Sequence, residues 1–136
     1  MPILGIIASF LRQIIAAGFP WTQRTLPTST TWQSVTFGGS TFVAIAESST
    51  IAATSADGIT WTQRTLPTSA SWLSVAFGAS TFVAVAQSSA IAATSADGIT
   101  WTQRTLPTST TWRAVTFGGS TFVAVANSSA IAATAP

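Results

Sequence analysis

All the charge of this chain sits on eight side chains. Glu47, Asp57 and Asp97 oppose Arg12, Arg24, Arg64, Arg104 and Arg113, giving a formal net charge of +2 over 136 residues. There is no Cys, His, Lys or Tyr. Thiolate and imidazole metal sites, cysteine or histidine nucleophile systems and disulfides are therefore excluded. The hydrolytic chemistry that remains is a carboxylate pair flanking a glycosidic bond. Asp57 and Asp97 do not read as such a pair, because each precedes a glycine in an equivalent turn of a repeated sequence, which sets them far apart. No catalytic residue, metal or cofactor is expected. Five scattered arginines are also too sparse for the basic stripe that nucleic-acid binding requires.

The six tryptophans offer a different chemistry, the stacking of indoles on sugar rings. They stand at two fixed places, Trp21, Trp61 and Trp101 in one series and Trp32, Trp72 and Trp112 in the other. A tryptophan recurring at one position is first a packing wedge, burying about 150–250 Å². A ligand platform is the alternative.

These side chains must be positioned by a repeat. The stretch WTQRTLPTS recurs at Trp21, Trp61 and Trp101 and carries nearly everything downstream with it. Within one unit, TTWQSVTFG, STFVAIA, TIAATS and GITWTQRTL are runs rich in Val, Ile, Thr, Phe and Trp, separated by turn residues. They predict a four-stranded antiparallel meander. Gly38, Gly39 and Ser40 join the first two strands, and the Asp57-Gly58 dipeptide suits a tight hairpin. Alternation puts Phe42 and Ala44 on one face and Val43 and Ile45 on the other, so both faces are apolar and the sheet must lie between neighbours. Four-stranded sheets at a period near 40 residues are the pattern of a β-propeller. The expected fold class is all-β, with three blades over residues 20–136.

The segment TSADGITWTQR and the LPTSASWLSVAFGASTFVAVA that follows it resemble the Asp-box, or sialidase-type, propeller blades of phage tail proteins and bacterial surface proteins. The turn departs from the usual Ser-x-Asp-x-Gly-x-x-Trp, because Gly58 follows Asp57 directly. Sialidases of this type use a Tyr nucleophile, which this chain lacks, so the resemblance implies a structural turn and no catalysis.

Residues 1–19, MPILGIIASFLRQIIAAGF, are strongly apolar. Arg12 interrupts the run, and no basic residue precedes it, so neither a secretory leader nor a membrane span fits. Pro2 and Gly5 favour extended backbone over residues 3–8, with a short helix possible over residues 10–17. Such a segment must pack, either on its own domain or in a partner assembly. MPILGIIAS resembles the opening of many tail-fibre and tail-tip proteins of tailed bacteriophages. That resemblance implies an anchor in which Ile3, Leu4, Ile6, Ile7 and Phe10 dock into another virion protein.

The third unit offers three strands without a fourth, and residues 21–26 are a spare copy of that fourth strand. Strand exchange through Trp21, Thr22, Gln23, Arg24 and Thr25 beside Ile131, Ala132 and Ala133 would complete a blade. Propellers hold about four to eight blades, so three favour closure by oligomerisation: a homodimer gives six blades, and a homotrimer gives nine. Where the copies differ, at Gln33, Leu73 and Arg113 and at Glu47, Gln87 and Asn127, side chains are expected to face solvent, where they contact a ligand or receptor or are simply unconstrained. Arg24, Arg64 and Arg104 form a second series, for solubility or for gripping an acidic polysaccharide or a neighbouring protein. The expected function is a non-enzymatic phage virion component, a tail fibre, tail tip or related appendage. It would be anchored by residues 1–19 among tail or baseplate proteins and present a propeller for support or for attachment to host-surface polysaccharide. An oligomeric propeller lectin binding cell-surface glycans is the alternative.

Overall fold

The computed structural model describes Gly5, Ile6 and residues 18–136. The strands are β1 (Trp32–Gly38), β2 (Thr41–Ala46), β3 (Ser49–Ser55), β4 (Thr62–Ala70), β5 (Trp72–Gly78), β6 (Thr81–Ala86), β7 (Ser89–Ser95), β8 (Thr102–Thr110), β9 (Trp112–Gly118), β10 (Thr121–Ala126) and β11 (Ala132–Ala135). They form sheets in the orders β1-β2-β3-β4, β5-β6-β7-β8 and β9-β10-β11. Every pairing is antiparallel between consecutive strands. The protein is all-β, and the three sheets are propeller blades. β1 packs against β5 and β5 against β9, so the first strands of the blades lie side by side.

The first turn of each blade follows the expectation. Gly39 and Ser40 have φ of 54° and 63°, Ala79 and Ser80 of 45° and 58°, and Gly119 and Ser120 of 56° and 64°. Two left-handed residues in a two-residue loop match the right-handed twist of the flanking strands.

The second half of the blade differs from the expectation in two ways. The Asp57-Gly58 dipeptide does not make a tight hairpin. β3 ends at Ser55 and β4 begins at Thr62, so a loop of residues 56–61 separates them. The loop is wide because its backbone donors turn inward to side chains: Ile59 and Thr60 donate to Asp57 Oδ1 at 2.8 and 2.9 Å, and Gly58 to Ser55 Oγ at 2.9 Å. The fourth strand, expected over residues 58–66, instead starts at Thr62 and runs through Pro67 to Ala70. Ile51 pairs with Thr65 while Ser49 pairs with Ala70, so residues 66–69 bulge from the ladder. A bulge tolerates a proline that lacks the ladder N–H.

The core lies between blades, as two apolar faces require. Val43, Ile45, Ala52 and Leu66 of the first blade are buried against Trp72, Val75, Phe82 and Trp101 of the second. Ala76, Val85 and Ala92 meet Trp112, Val115, Phe122 and Ala124 in the same way one blade on. Two further contacts fix the junctions. Val75 N donates to Ser34 Oγ at 3.1 Å, and Val115 N to Ser74 Oγ at 3.0 Å. Phe77 lies where a Cβ on Gly38 would be, and Phe117 where a Cβ on Gly78 would be, so each phenyl ring fills a notch that only glycine leaves open.

Trp72 and Trp112 are fully buried, with indole N–H groups donating to Thr68 O and Thr108 O at 3.2 and 3.1 Å. Trp101 is buried too, whereas Trp21 is 89% exposed. Packing is thus the role of the tryptophans wherever a preceding blade covers them. In the leader, Gly5 and Ile6 have helical rather than extended backbone, and Ile6 is 68% exposed. Ile3, Leu4, Ile7 and Phe10 of the expected anchor lie outside the described residues.

Candidate functional site

Two equivalent polar grooves lie one blade apart. The first, of about 350 Å³, is lined by Thr41, Thr54, Asp57, Thr60, Thr62 and Arg64 and reaches Asp97 and Ile99 of the next blade. The second, of about 480 Å³, is lined by Thr81, Thr94, Asp97, Thr100, Thr102 and Arg104. Alternation along β4 and β8 sets Thr62 and Arg64, and Thr102 and Arg104, on one face of the outermost strand. Arg64 Nε donates to Thr54 Oγ1 at 2.9 Å and Arg104 Nε to Thr94 Oγ1 at 3.0 Å. That bond fixes each guanidinium and does not use its terminal donors. The grooves therefore offer threonine hydroxyls, a held arginine and a carboxylate, a donor and acceptor set suited to a polyhydroxylated ligand.

Asp57 and Asp97 were expected to lie far apart, yet both line the first groove. The curvature from one blade to the next brings their loops together. Both carboxyls are held below the ordinary aspartate value, Asp57 by the Thr60 and Ile59 N–H groups and then the Ser55 hydroxyl, and Asp97 by the Thr100 and Ile99 N–H groups and then the Ser95 hydroxyl. A glycosidase acid requires a raised value.

The depressed carboxyls give a signed pH dependence. Their contribution to holding the loops is complete above the unfolded value of about 3.9 and is lost as pH falls through the lower folded value. The Ile59, Thr60, Ile99 and Thr100 amides are expected to stay protected and unshifted in NMR spectra from pH 7 to 5, and to change together below about pH 4. Unchanged amides down to pH 2 would contradict this.

The positions that vary among the copies are only partly brought together. Gln33 Nε2 donates to Glu47 Oε2 at 2.6 Å, and Gln87 Nε2 to Glu47 Oε1 at 3.3 Å, so these three join across the first two blades. Arg113 and Asn127 are exposed at the equivalent places in the third blade. Leu73 departs from the expectation of solvent exposure: it is 8% exposed and packed, because the second blade has a neighbour on each face. Trp21, Thr22, Gln23, Arg24 and Thr25 are exposed and outside any strand. Ile131 is 39% exposed, Ala132 is exposed and Ala133 half-buried on β11, the outer strand of its sheet among the described residues.

The outer face of the first blade, apolar as the alternation along its strands predicts, is the third feature. Val35 and Phe37 are 60% and 54% exposed, while Val75 and Val115, the equivalents of Val35, are buried and Phe77 and Phe117, those of Phe37, are half-buried. Beside them a hollow of about 420 Å³ is lined by Leu26, Trp32, Val35, Ala44, Gly58 and Trp61. The Phe37 and Phe42 ring centroids lie 4.6 Å apart with the rings tilted at 51°, and Phe42 lies 6.3 Å from Trp61. The same trio, Phe77, Phe82 and Trp101, is closed over by the first blade. The signal available in the sequence was the invariance of Phe37, Phe77 and Phe117 each directly before a glycine.

Among the described residues no group of acidic side chains could hold a metal ion, and no helix is long and apolar enough to cross a membrane. Comparison with known proteins gives one family: the model described as the DUF6242 beta propeller domain matches residues 11–117. No curated protein matches. Among solved structures, the crystal structure of the computationally designed Ika4 protein is similar with a TM-score of 0.45 and 11% identity, covering 85% of this chain and 98% of that one.

Proposed function

The chain belongs to the DUF6242 beta propeller domain family, and we propose that it is a non-enzymatic bacteriophage virion component. In this reading it is a tail-fibre, tail-tip or related appendage protein that presents its blades for structural support and attachment to a host surface. The observation that carries the attachment role is the recurrence of one polar groove in successive blades, with Arg64 and Arg104 in equivalent places. Repeated weak sites combine into avidity when the surface ligands are spaced to match. A polysaccharide that carries both hydroxyl and carboxylate groups suits these grooves, its carboxylates meeting the held guanidinium groups and its hydroxyls donating to the Asp57 and Asp97 carboxylates. The phage assignment is supported by the resemblance of MPILGIIAS to tail-protein openings, and under it residues 1–19 dock into tail or baseplate proteins. The absence of Tyr, His and Cys supports a role without catalysis.

The second reading, a free oligomeric lectin, is favoured by the same grooves, since threonine hydroxyls and arginine suit a glycan whether or not the protein is anchored. The test has two arms. Full-length protein with Arg64→Ala and Arg104→Ala is measured for binding to an immobilised acidic polysaccharide, where loss of more than tenfold in apparent affinity is expected from two sites. Protein lacking residues 1–19 is then offered to particles. Loss of incorporation with glycan binding kept supports the virion reading, and incorporation without that segment contradicts it.

A further inference from the structure

We infer that the outer face of the first blade is a docking surface for the third blade of a second copy, joined head to tail by the contacts that join blades within one chain. This rests on the blade junctions and is independent of the virion reading.

The occupant is argued from complementarity that the molecule displays twice. At each internal junction a blade offers Val and Phe to the preceding blade, which receives the Phe over its glycine. Val35 and Phe37 are the unused members of that set, 60% and 54% exposed. The unused receiving face is on the third blade, where Ala114, Thr116 and Gly118 are exposed and a Cβ on Gly118 would meet nothing among the described residues. Val125 and Ile131 are 45% and 39% exposed there, while Ile45, the counterpart of Val125 in the first blade, is fully buried. Seating Phe37 of one copy over Gly118 of the next covers both faces at once.

Charge agrees with this direction. Gln33 and Gln87 reach the two oxygens of Glu47 from its own blade and from the next blade. Carried over to the junction between copies, the same geometry sets Arg113 and Asn127 of one copy beside Glu47 of the other. The chain holds a single Glu, and it stands at the opposite end of the array from Arg113.

A second contact follows the same template. Gly98 packs against Val43 of the preceding blade, and Trp101 lies 6.5 Å from Phe82. Gly18 already has the left-handed φ of its equivalents, 68° against 71° and 74° at Gly58 and Gly98. The equivalent seat for Trp21 is a hollow of about 140 Å³ lined by Val83, Phe122, Ala124 and Ala133. In the assembled state Trp21 of the partner enters it, and the residues after Trp21 lie along β11. A head-to-tail contact either closes into a ring or continues as a filament; two copies give six blades, within the range propellers use.

The test is the native mass of the full chain by light scattering, for wild type, Gly118→Val, Glu47→Arg and the double variant Glu47→Arg with Arg113→Glu. Wild type is expected to be a dimer at micromolar concentration. A Cβ at Gly118 meets nothing among the described residues, so Gly118→Val is expected to keep its circular dichroism and melt as a folded monomer. Glu47→Arg is expected to weaken association about tenfold or more, and the exchanged pair to recover most of it. A monomeric wild type overturns the proposal, as does a Gly118→Val protein with unchanged mass. If deleting residues 1–17 turns a monomeric wild type into an oligomer, those residues occupy the face instead of a second copy, and the proposal fails.

Discussion

Replacing Trp72 by alanine is expected to destabilise the protein by about 3–5 kcal/mol, a large share of the roughly 5–15 kcal/mol that holds a domain of this size together. The indole is fully buried between the first two blades, beside Val43, Ile45 and Leu66. Its removal deletes one of the two tryptophans at that junction and leaves a cavity that two hydrogen-bonded sheets cannot collapse to fill. The Thr68 carbonyl also loses its donor, now 3.2 Å away. Chemical denaturation monitored by the remaining tryptophans measures the loss. Trp72→Phe is expected to recover most of the packing and to fail only by the unpaired carbonyl, about 1–3 kcal/mol. A loss under about 1 kcal/mol for the alanine variant would mean that Trp72 is not a wedge.

Gly78→Val is expected to cost about 3 kcal/mol or more, because a Cβ there would occupy the position of the Phe117 ring. The ring lies 4.7 Å from Phe122, tilted at 58°, and belongs to the packing between the second and third blades. It must leave that seat, and Ser74 Oγ then loses its approach to the Val115 N–H at 3.0 Å. Gly118→Val provides the control in the same sequence context. Its expected effect on the melting of the single chain is within about 0.5 kcal/mol, as for a surface substitution. Equal losses at the two glycines would show that strand propensity rather than the notch sets the cost.

The contrast between these glycines marks what the sequence could reveal. Gly39 with Ser40 was legible as a turn, because a two-residue loop demands left-handed backbone and few residues tolerate it. The apolar faces of TFVAIA were legible from alternation, which predicted burial between neighbouring sheets. The end of the blade was not. Pro67 disguised the second half of β4, since a proline reads as a terminator unless the bulge that shelters it is known. Asp57-Gly58 was read as a hairpin because the dipeptide alone does not disclose that Ser55 and Asp57 capture four loop amides.

The candidate site was less legible than the fold, for a physical reason. Its parts come from different blades, and the angle between blades appears in no local pattern. Asp57 and Asp97 share a groove, and Gln87 reaches Glu47, only because neighbouring sheets are packed face to face. Leu73 was grouped with Gln33 and Arg113 as a variable surface position, although the second blade alone has neighbours on both sides. The notch that receives each phenyl ring is equally invisible in one copy. Comparison of the copies shows that Phe and Gly are invariant there, but the meeting of the Phe of one blade with the Gly of another arises only when the sheets pack.

Whether the faces left open at the two ends of the array meet between copies can be measured directly, because the chain contains no cysteine. A double variant, Phe37→Cys with Gly118→Cys, is oxidised under mild conditions and run on a denaturing gel without reductant. Head-to-tail docking sets these two positions against each other, and the account predicts a covalent dimer, cross-linked at both junctions, that reverts to monomer on reduction. Either single variant should give much less. A double variant that remains monomeric, with both thiols free at concentrations where the wild type is dimeric, would contradict the account.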